Sequence, residues 1–120
     1  MPNQIVWVDI PVLDLDRAIT FYSAVLGGGV KKEQFGGMSL GLLPHEMGSV
    51  GGCLFQKEGE KPSQQGPLIY LNVQGRLDEA VSAVQAKGGK VLKPKESIGP
   101  HGFRAVVVDS EGNRVALHSM

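Results

Sequence analysis

The first part of the chain shows a strand pattern followed by a helix pattern. Residues 5–12 are mostly β-branched or aromatic, which is typical of a β-strand. Asp14 is a favourable N-cap, and apolar side chains then recur three and four positions apart, as on one face of an α-helix. These apolar positions are Leu15, Ala18, Ile19, Tyr22, Val25 and Leu26. Because glycine adopts the left-handed C-cap conformation cheaply, the glycines at 27–29 predict that the helix covers residues 15–26.

Shorter apolar runs and then a polar segment come next. Runs near residues 30–35, 38–43 and 50–56 are separated by glycines and by Pro44, and they predict three short strands. Residues 57–66 are polar and contain no candidate core residue, so they are interpreted as a linker.

The same order of patterns returns after the linker. Residues 67–73 predict a strand, and residues 77–87 predict a helix that a pair of glycines ends. Leu-Asp-Arg-Ala-Ile at 15–19 aligns with Leu-Asp-Glu-Ala-Val at 77–81, an offset of 62. An internal repeat of this length is typical of duplicated units packed on each other. Further strands are predicted near residues 90–93, 103–109 and 114–118.

The repeated order β-α-β-β-β predicts an α+β fold of two tandem modules. Module 1 covers about residues 1–58, module 2 covers about residues 67–120, and together they form a single domain over residues 1–120. Neither module is large enough to bury the inner face of its sheet alone. We therefore expect the two modules to form a curved, cavity-bearing mixed sheet with the helices outside.

Composition and charge exclude several classes of protein. The 12 basic residues balance the 12 acidic ones, so the basic surplus of a nucleic-acid-binding protein is missing. A single cysteine excludes an intrachain disulfide framework and fits a reducing cytoplasm. No apolar stretch approaches the ~18 residues of a membrane span, and we expect no signal peptide.

Three segments stand out: DIPVLDLDRAITFY at residues 9–22, VLG at 25–27 and DSEGNRVALH at 109–118. They resemble the vicinal oxygen chelate superfamily, which includes glyoxalase I, extradiol dioxygenases and the bleomycin and fosfomycin resistance proteins. The first two segments are similar to its opening module, and the third is similar to its closing turn and final strand. The resemblance covers nearly the whole chain and is strongest to small glyoxalase-like members. It implies the duplicated fold, but not one activity, because this fold hosts many chemistries.

The resemblance also implies where a metal ion is expected. Metal enzymes of the superfamily place ligands, usually His, Gln or Glu, at four strand positions. By neighbouring motifs these positions fall on Trp7, on Gly52 or Cys53, on Leu68 and on Ala116. Trp, Leu and Ala offer no donor atom suited to a divalent cation. We therefore expect no metal cofactor, and a divalent metal at other residues is the alternative.

Alternation along the strands predicts the lining of a cavity, because residues two apart share a face. The predicted lining is Trp7, Asp9, Leu68, Tyr70, Asn72, Ala116 and His118. Aromatic and apolar walls with few polar groups are typical of small-molecule pockets, although Trp7 and Tyr70 also suit a core.

Three polar residues are candidates for chemistry. Asp9 stands in an apolar strand, so it needs either a structural hydrogen bond or a catalytic or ligand-binding role. His118 is a candidate general acid or base, or else a strand-edge residue. His101 lies between Pro100 and Gly102, and it is a candidate for the rim of a ligand-binding pocket.

Three functions are compatible with the sequence. The first is a metal-independent protein that binds a small molecule between its modules, which the resemblance to the bleomycin resistance proteins implies. The second is a metal-dependent lyase or isomerase of the glyoxalase (lactoylglutathione lyase) type with a noncanonical site at Asp9 and His118. The third is a structural or regulatory module. The resemblance further implies a homodimer, and we expect a cytoplasmic protein with no nucleic-acid or membrane partner.

Overall fold

The computed structural model describes residues 3–120, which form the two predicted modules in tandem. Each module contains one α-helix and one four-stranded sheet, so the predicted α+β class and βαβββ order are confirmed. The first module consists of β1 (Trp7–Pro11), α1 (Leu15–Leu26), β2 (Lys31–Phe35), β3 (Met38–Leu42) and β4 (Gly51–Phe55). The second consists of β5 (Ile69–Asn72), α2 (Leu77–Ala86), β6 (Lys90–Ser97), a short 3-10 helix (Gly99–His101), β7 (Phe103–Val108) and β8 (Arg114–Ser119).

Both sheets have the same topology, and their first and last strands pair in equivalent registers. The strand order is β1-β4-β3-β2 in the first sheet and β5-β8-β7-β6 in the second. The first strand of each module pairs in parallel with the last, and the remaining pairs are antiparallel. Asp9 lies opposite Cys53, and Tyr70 lies opposite Ala116. Asp9 and Tyr70 are thus equivalent positions in the two modules, as are Cys53 and Ala116.

The two helices begin and end differently. The Asp14 side chain accepts a hydrogen bond from the backbone N–H of Arg17, and Gly27 ends α1 in the left-handed conformation with φ 87°. The N-terminus of α2 has no side-chain cap, and the residue there is Arg76. Its guanidinium instead donates to the carbonyl of Val25 at 2.6 Å, so the beginning of α2 helps to cap the end of α1.

One hydrophobic core extends through both modules. The helices lie against one face of each sheet and also against each other. Phe21 of α1 lies close to Gly89, which follows α2. The buried core is formed by Ile10, Val12, Leu15, Ala18, Phe21, Tyr22, Val25, Leu43, Leu54, Val73, Leu77, Ala80, Val84, Ala105, Val107, Val115 and Leu117. Because each helix helps to bury the other, the modules share their apolar burial.

The turn between β7 and β8 joins the second module to the first. One oxygen of Asp109 accepts hydrogen bonds from three backbone N–H groups of the turn, and the Tyr22 hydroxyl donates to its other oxygen. The amide of Asn113 donates to the carbonyl of Pro11 at 2.7 Å. Glu111 accepts from two backbone N–H groups at the start of α1 and pairs with Arg17 at 2.7 Å.

The structure differs from the predicted elements mainly at strand ends. β1 begins at Trp7 rather than at residue 5, and β5 begins at Ile69, one residue after Leu68. β6 reaches Ser97, beyond the predicted end, with register shifts on both sides of Lys93. β6 lies at the edge of its sheet and contains Pro94. A proline is tolerated there because one side of an edge strand forms no hydrogen bonds to a neighbouring strand. Within residues 3–120, neither helix combines the length and apolar character that crossing a bilayer requires.

Candidate functional site

Strand alternation gives each sheet one face toward the helices and one face away from them. In the first sheet Ile10 and Leu54 face the core, whereas Trp7, Asp9 and Cys53 lie on the opposite face, which we call the open face. In the second sheet the open face carries the equivalent positions in β5, β7 and β8. They include Tyr70, Asn72, Arg104, Ala116 and His118.

A cavity of about 680 Å³ covers the open face of the first sheet. Its walls are largely apolar, with aromatic rings from three strands and a small number of charged groups. We call it the first-sheet cavity, and its lining is Trp7, Asp9, Glu33, Gln34, Phe35, Met38, Leu40, Leu42, Cys53, Phe55, Lys57 and Glu60. Such a volume and such walls match those of small-molecule sites.

Asp9 is held in this cavity by two neighbours. The indole N–H of Trp7 donates to Oδ1 of Asp9 at 2.8 Å, and the thiol of Cys53 donates to the same oxygen at 3.3 Å. Burial, and then the hydrogen bond to Asp9, raises the pKa of the Cys53 thiol to about 11. Cys53 is therefore a neutral donor at neutral pH and not a thiolate nucleophile.

A second cavity of about 590 Å³ lies between the modules. Its lining includes Tyr70 and Asn72 from β5, together with Gly51 and Gly52 from β4. His45, from the segment between β3 and β4, also lines it, and its ring meets that of Trp7 edge-on at 6.3 Å between centroids. Because a Cβ at Gly51 would lie 2.8 Å from the indole ring, the glycine leaves room for Trp7.

A third, shallower cavity of about 450 Å³ lies on the open face of the second sheet. It is lined by Tyr70, Ile98, His101 and His118. A ring nitrogen of His118 lies 2.6 Å from the carbonyl oxygen of His101, and the ring itself packs edge-on against Tyr70. Arg104 donates to the Tyr70 hydroxyl and pairs with Glu96 at 3.0 Å.

The predicted lining residues are divided among these cavities. Trp7 and Asp9 line the first-sheet cavity, Asn72 lines the cavity between the modules, and His118 lines the third. Tyr70 lines both of the last two, and His101 lies at the third. Leu68 and Ala116 line none of the three, and Ala116 is fully buried.

Sequence reasoning missed several residues of the first-sheet cavity. They are Glu33, Phe35, Phe55 and Glu60. The signal for Glu33 and Phe35 was present, because they are two apart in a strand and share a face. In β4 the run Gly-Gly-Cys-Leu-Phe does not reveal which residues face the core, and Glu60 lies in the segment interpreted as a linker.

The donor atoms at the expected metal positions do not suit a divalent cation. Gly52 pairs with Val8, which packs against the core, so the open-face position belongs to Cys53. The four positions thus carry Trp7, Cys53, Leu68 and Ala116, of which Cys53 alone has a ligating side chain. Among residues 3–120 there is no group of three or more His, Cys, Asp or Glu side chains placed to hold a metal ion.

Comparison with known proteins agrees with this architecture. Residues 4–117 match the family described as the Glyoxalase/Bleomycin resistance protein/Dioxygenase superfamily. A glyoxylase-like domain-containing protein from Didymella fabae is 32% identical over an alignment of 125 positions, gaps included, which spans 96% of this chain and 92% of that protein.

Solved structures share the fold at low sequence identity. A glyoxalase/bleomycin resistance protein from Albidiferax ferrireducens superimposes with a TM-score of 0.77 at 18% identity, covering 98% of this chain and 99% of its own. A fosfomycin resistance protein from Listeria monocytogenes gives a TM-score of 0.68 at 15% identity, covering 100% of this chain and 95% of its own.

Proposed function

We propose that this chain, which belongs to the Glyoxalase/Bleomycin resistance protein/Dioxygenase superfamily, binds a small molecule in its cavities without the usual metal centre. The observation that carries the proposal is the first-sheet cavity, which is lined by the aromatic rings of Trp7, Phe35 and Phe55 and holds the Asp9 carboxylate. Such a site offers apolar contact area and a small number of charged groups to anchor a ligand, as small-molecule sites require. The adjoining cavity between the modules offers further room for a longer ligand.

Donor chemistry supports the metal-free part of the proposal. At the expected ligand positions, Trp7, Leu68 and Ala116 supply no suitable lone pair. The alternative, a metal-dependent lyase or isomerase, relies on Asp9 and His118 acting on one substrate. These two residues line different cavities of the chain, which favours binding over that chemistry.

Metal content and ligand binding test the proposal together. Protein purified without chelators is expected to contain far less than one equivalent of divalent metal by elemental analysis. A metabolite panel is expected to yield compounds that raise the melting temperature, because a ligand that binds the folded state stabilises it. The Trp7→Ala variant should lose that shift, whereas Met47→Ala, which changes a fully exposed side chain, should retain it.

Two results would contradict the proposal. One is a full equivalent of Zn²⁺, Ni²⁺ or Fe²⁺ in the purified protein that Asp9→Ala or His118→Ala removes. The other is a panel that produces no shift with the unmodified chain.

We also propose a cytoplasmic homodimer. Large apolar side chains remain exposed on the open faces, with Trp7 44% exposed, Phe35 76% exposed and Tyr70 46% exposed. Apolar surface of this kind is typical of sites that a partner or a ligand covers. Light scattering coupled to size exclusion is expected to give twice the 12.8 kDa mass of the chain, and a monomer at micromolar concentrations would contradict the dimer.

A further inference from the structure

We propose that the first-sheet cavity selects an organic cation, a molecule with a protonated amine or quaternary ammonium group attached to an apolar or aromatic body. The inference rests on the proposed function, since it names the chemical class of the small molecule. It follows from the charge of the cavity, from the exposed Oδ2 of Asp9 and from the aromatic walls.

The charged groups of the cavity are mainly acidic. Asp9, Glu33 and Glu60 contribute three carboxylates, and Lys57 contributes one ammonium group. None of the three carboxylates forms an ion pair with any residue in the range 3–120. The cavity therefore carries an excess of negative charge that a cationic ligand neutralises and an anionic ligand increases.

Asp9 is the position within the cavity where the cationic group of the ligand is expected to bind. Its Oδ1 accepts both the indole N–H of Trp7 and the thiol of Cys53, and within residues 3–120 no group donates to Oδ2. Asp9 is exposed, so its Oδ2 is accessible to solvent in the unliganded protein. A neutral apolar ligand that covered it would leave a desolvated carboxylate oxygen without a partner, which is costly. An ammonium group replaces that solvent with a charge-assisted hydrogen bond.

The aromatic walls of the first-sheet cavity suit the rest of such a ligand. Trp7, Phe35 and Phe55 are aromatic, and aromatic rings attract cations as well as apolar groups. The second module differs at the equivalent positions, because Tyr70 stands in place of Asp9. Its open face carries Arg104 and His118. The preference for a cation therefore belongs to the first sheet alone.

Three ligands that share a phenylalkyl body but differ in charge test the inference. The probes are 4-phenylbutylamine, 4-phenylbutanol and 4-phenylbutyrate, which are cationic, neutral and anionic at pH 7. Trp7 is the single tryptophan of the chain and lines the cavity, so its fluorescence reports binding. The affinity for the amine is expected to be at least about tenfold higher than that for the alcohol, and the butyrate is expected to bind more weakly than either.

Matched variants assign the effect to Asp9. Asp9→Asn keeps the shape and the acceptor for Trp7 and Cys53 but removes the charge. It is expected to weaken binding of the amine about tenfold and to leave the alcohol unchanged. Glu58→Gln removes the same charge from an exposed position that lies near the cavity but does not line it. This control should leave the affinity for the amine within about twofold of the original.

The outcomes separate this inference from the proposed function. If the alcohol or the butyrate binds as tightly as the amine, or if Asp9→Asn leaves the amine unaffected, the cavity binds small molecules but does not select cations. If none of the three probes binds but the metabolite panel still yields stabilising compounds, the inference is wrong and the proposed function stands.

Discussion

At the scale of single residues, Glu111 is a buried charge that links the two modules. Its side chain is fully buried, and its oxygens accept hydrogen bonds from Arg17, Ser110 and two backbone N–H groups of the first module. Burial opposes ionisation of this carboxyl, but the hydrogen bonds outweigh it and lower its pKa from 4.5 to about 2. The carboxylate is therefore a structural element that holds the beginning of α1.

The lowered pKa of Glu111 predicts an acid-sensitive contribution to stability. A folded pKa below the unfolded one means that the contribution is complete above about pH 4.5 and is lost as the pH falls toward 2. Glu111→Gln is expected to lower the free energy of unfolding by about 2 kcal/mol at pH 7. By urea denaturation the difference from the original chain should shrink between pH 4.5 and pH 2.5.

The matched control is Asp78→Asn, which removes an exposed pair with Lys95. Exposed pairs contribute little, so its effect should stay below about 0.5 kcal/mol at every pH. A Glu111→Gln effect of the same size at pH 7 and at pH 2.5 would show that the charge is not the cause.

The sequence predicts residues of the site where the alternation of polar and apolar positions along a strand is visible. Asp9 was identified because a carboxylate interrupts an apolar strand, and the structure satisfies one of its oxygens with Trp7 and Cys53. Phe55 was missed because the glycines before it hide the alternation. The division of the predicted lining among separate cavities depends on how the two sheets are placed, and no local pattern specifies that placement.

At the scale of elements, Gly89 sets the distance between α2 and the second sheet. A Cβ at this position would lie 2.6 Å from the carbonyl oxygen of Val108 and 2.7 Å from the ring of Phe21. One of these contacts is with backbone, which cannot rotate away. The glycine thus lets β6 approach β7 and lets α1 pack against the end of α2.

Gly89→Ala is expected to destabilise the protein by about 3 kcal/mol because backbone and core must both shift. Gly59→Ala is the control, since Gly59 has φ 90° but open space around its missing side chain. It should cost only about 1 kcal/mol. Thermal unfolding of both variants checks this order, and equal effects would show that the close approach is unimportant.

The helices are predictable from the sequence because apolar residues recur at helical spacing over several turns and glycines follow the last of them. Residues 15–26 form the helix as predicted, since Asp14 and Gly27 cap it. The length of β6 was not predictable, because Pro94 suggests a break and only its position at a sheet edge permits the strand to continue.

At the scale of the whole molecule, the shared core predicts a single unfolding transition. α1 and α2 bury each other, and side chains from both modules form one apolar cluster. Urea unfolding followed by Trp7 fluorescence, which reports the first module, should coincide with unfolding followed by far-UV circular dichroism, which reports both. Two separated transitions would mean that the modules are independently stable.

The turn that joins the modules also constrains how the protein is made. Glu111 and Asn113 belong to the last hairpin, yet their partners are at the beginning of α1 and in β1. During synthesis the first module leaves the ribosome while these partners and the apolar side of α1 are still uncovered. The contacts of Glu111 and Asn113 with the first module therefore form only after the turn between β7 and β8 has been synthesised.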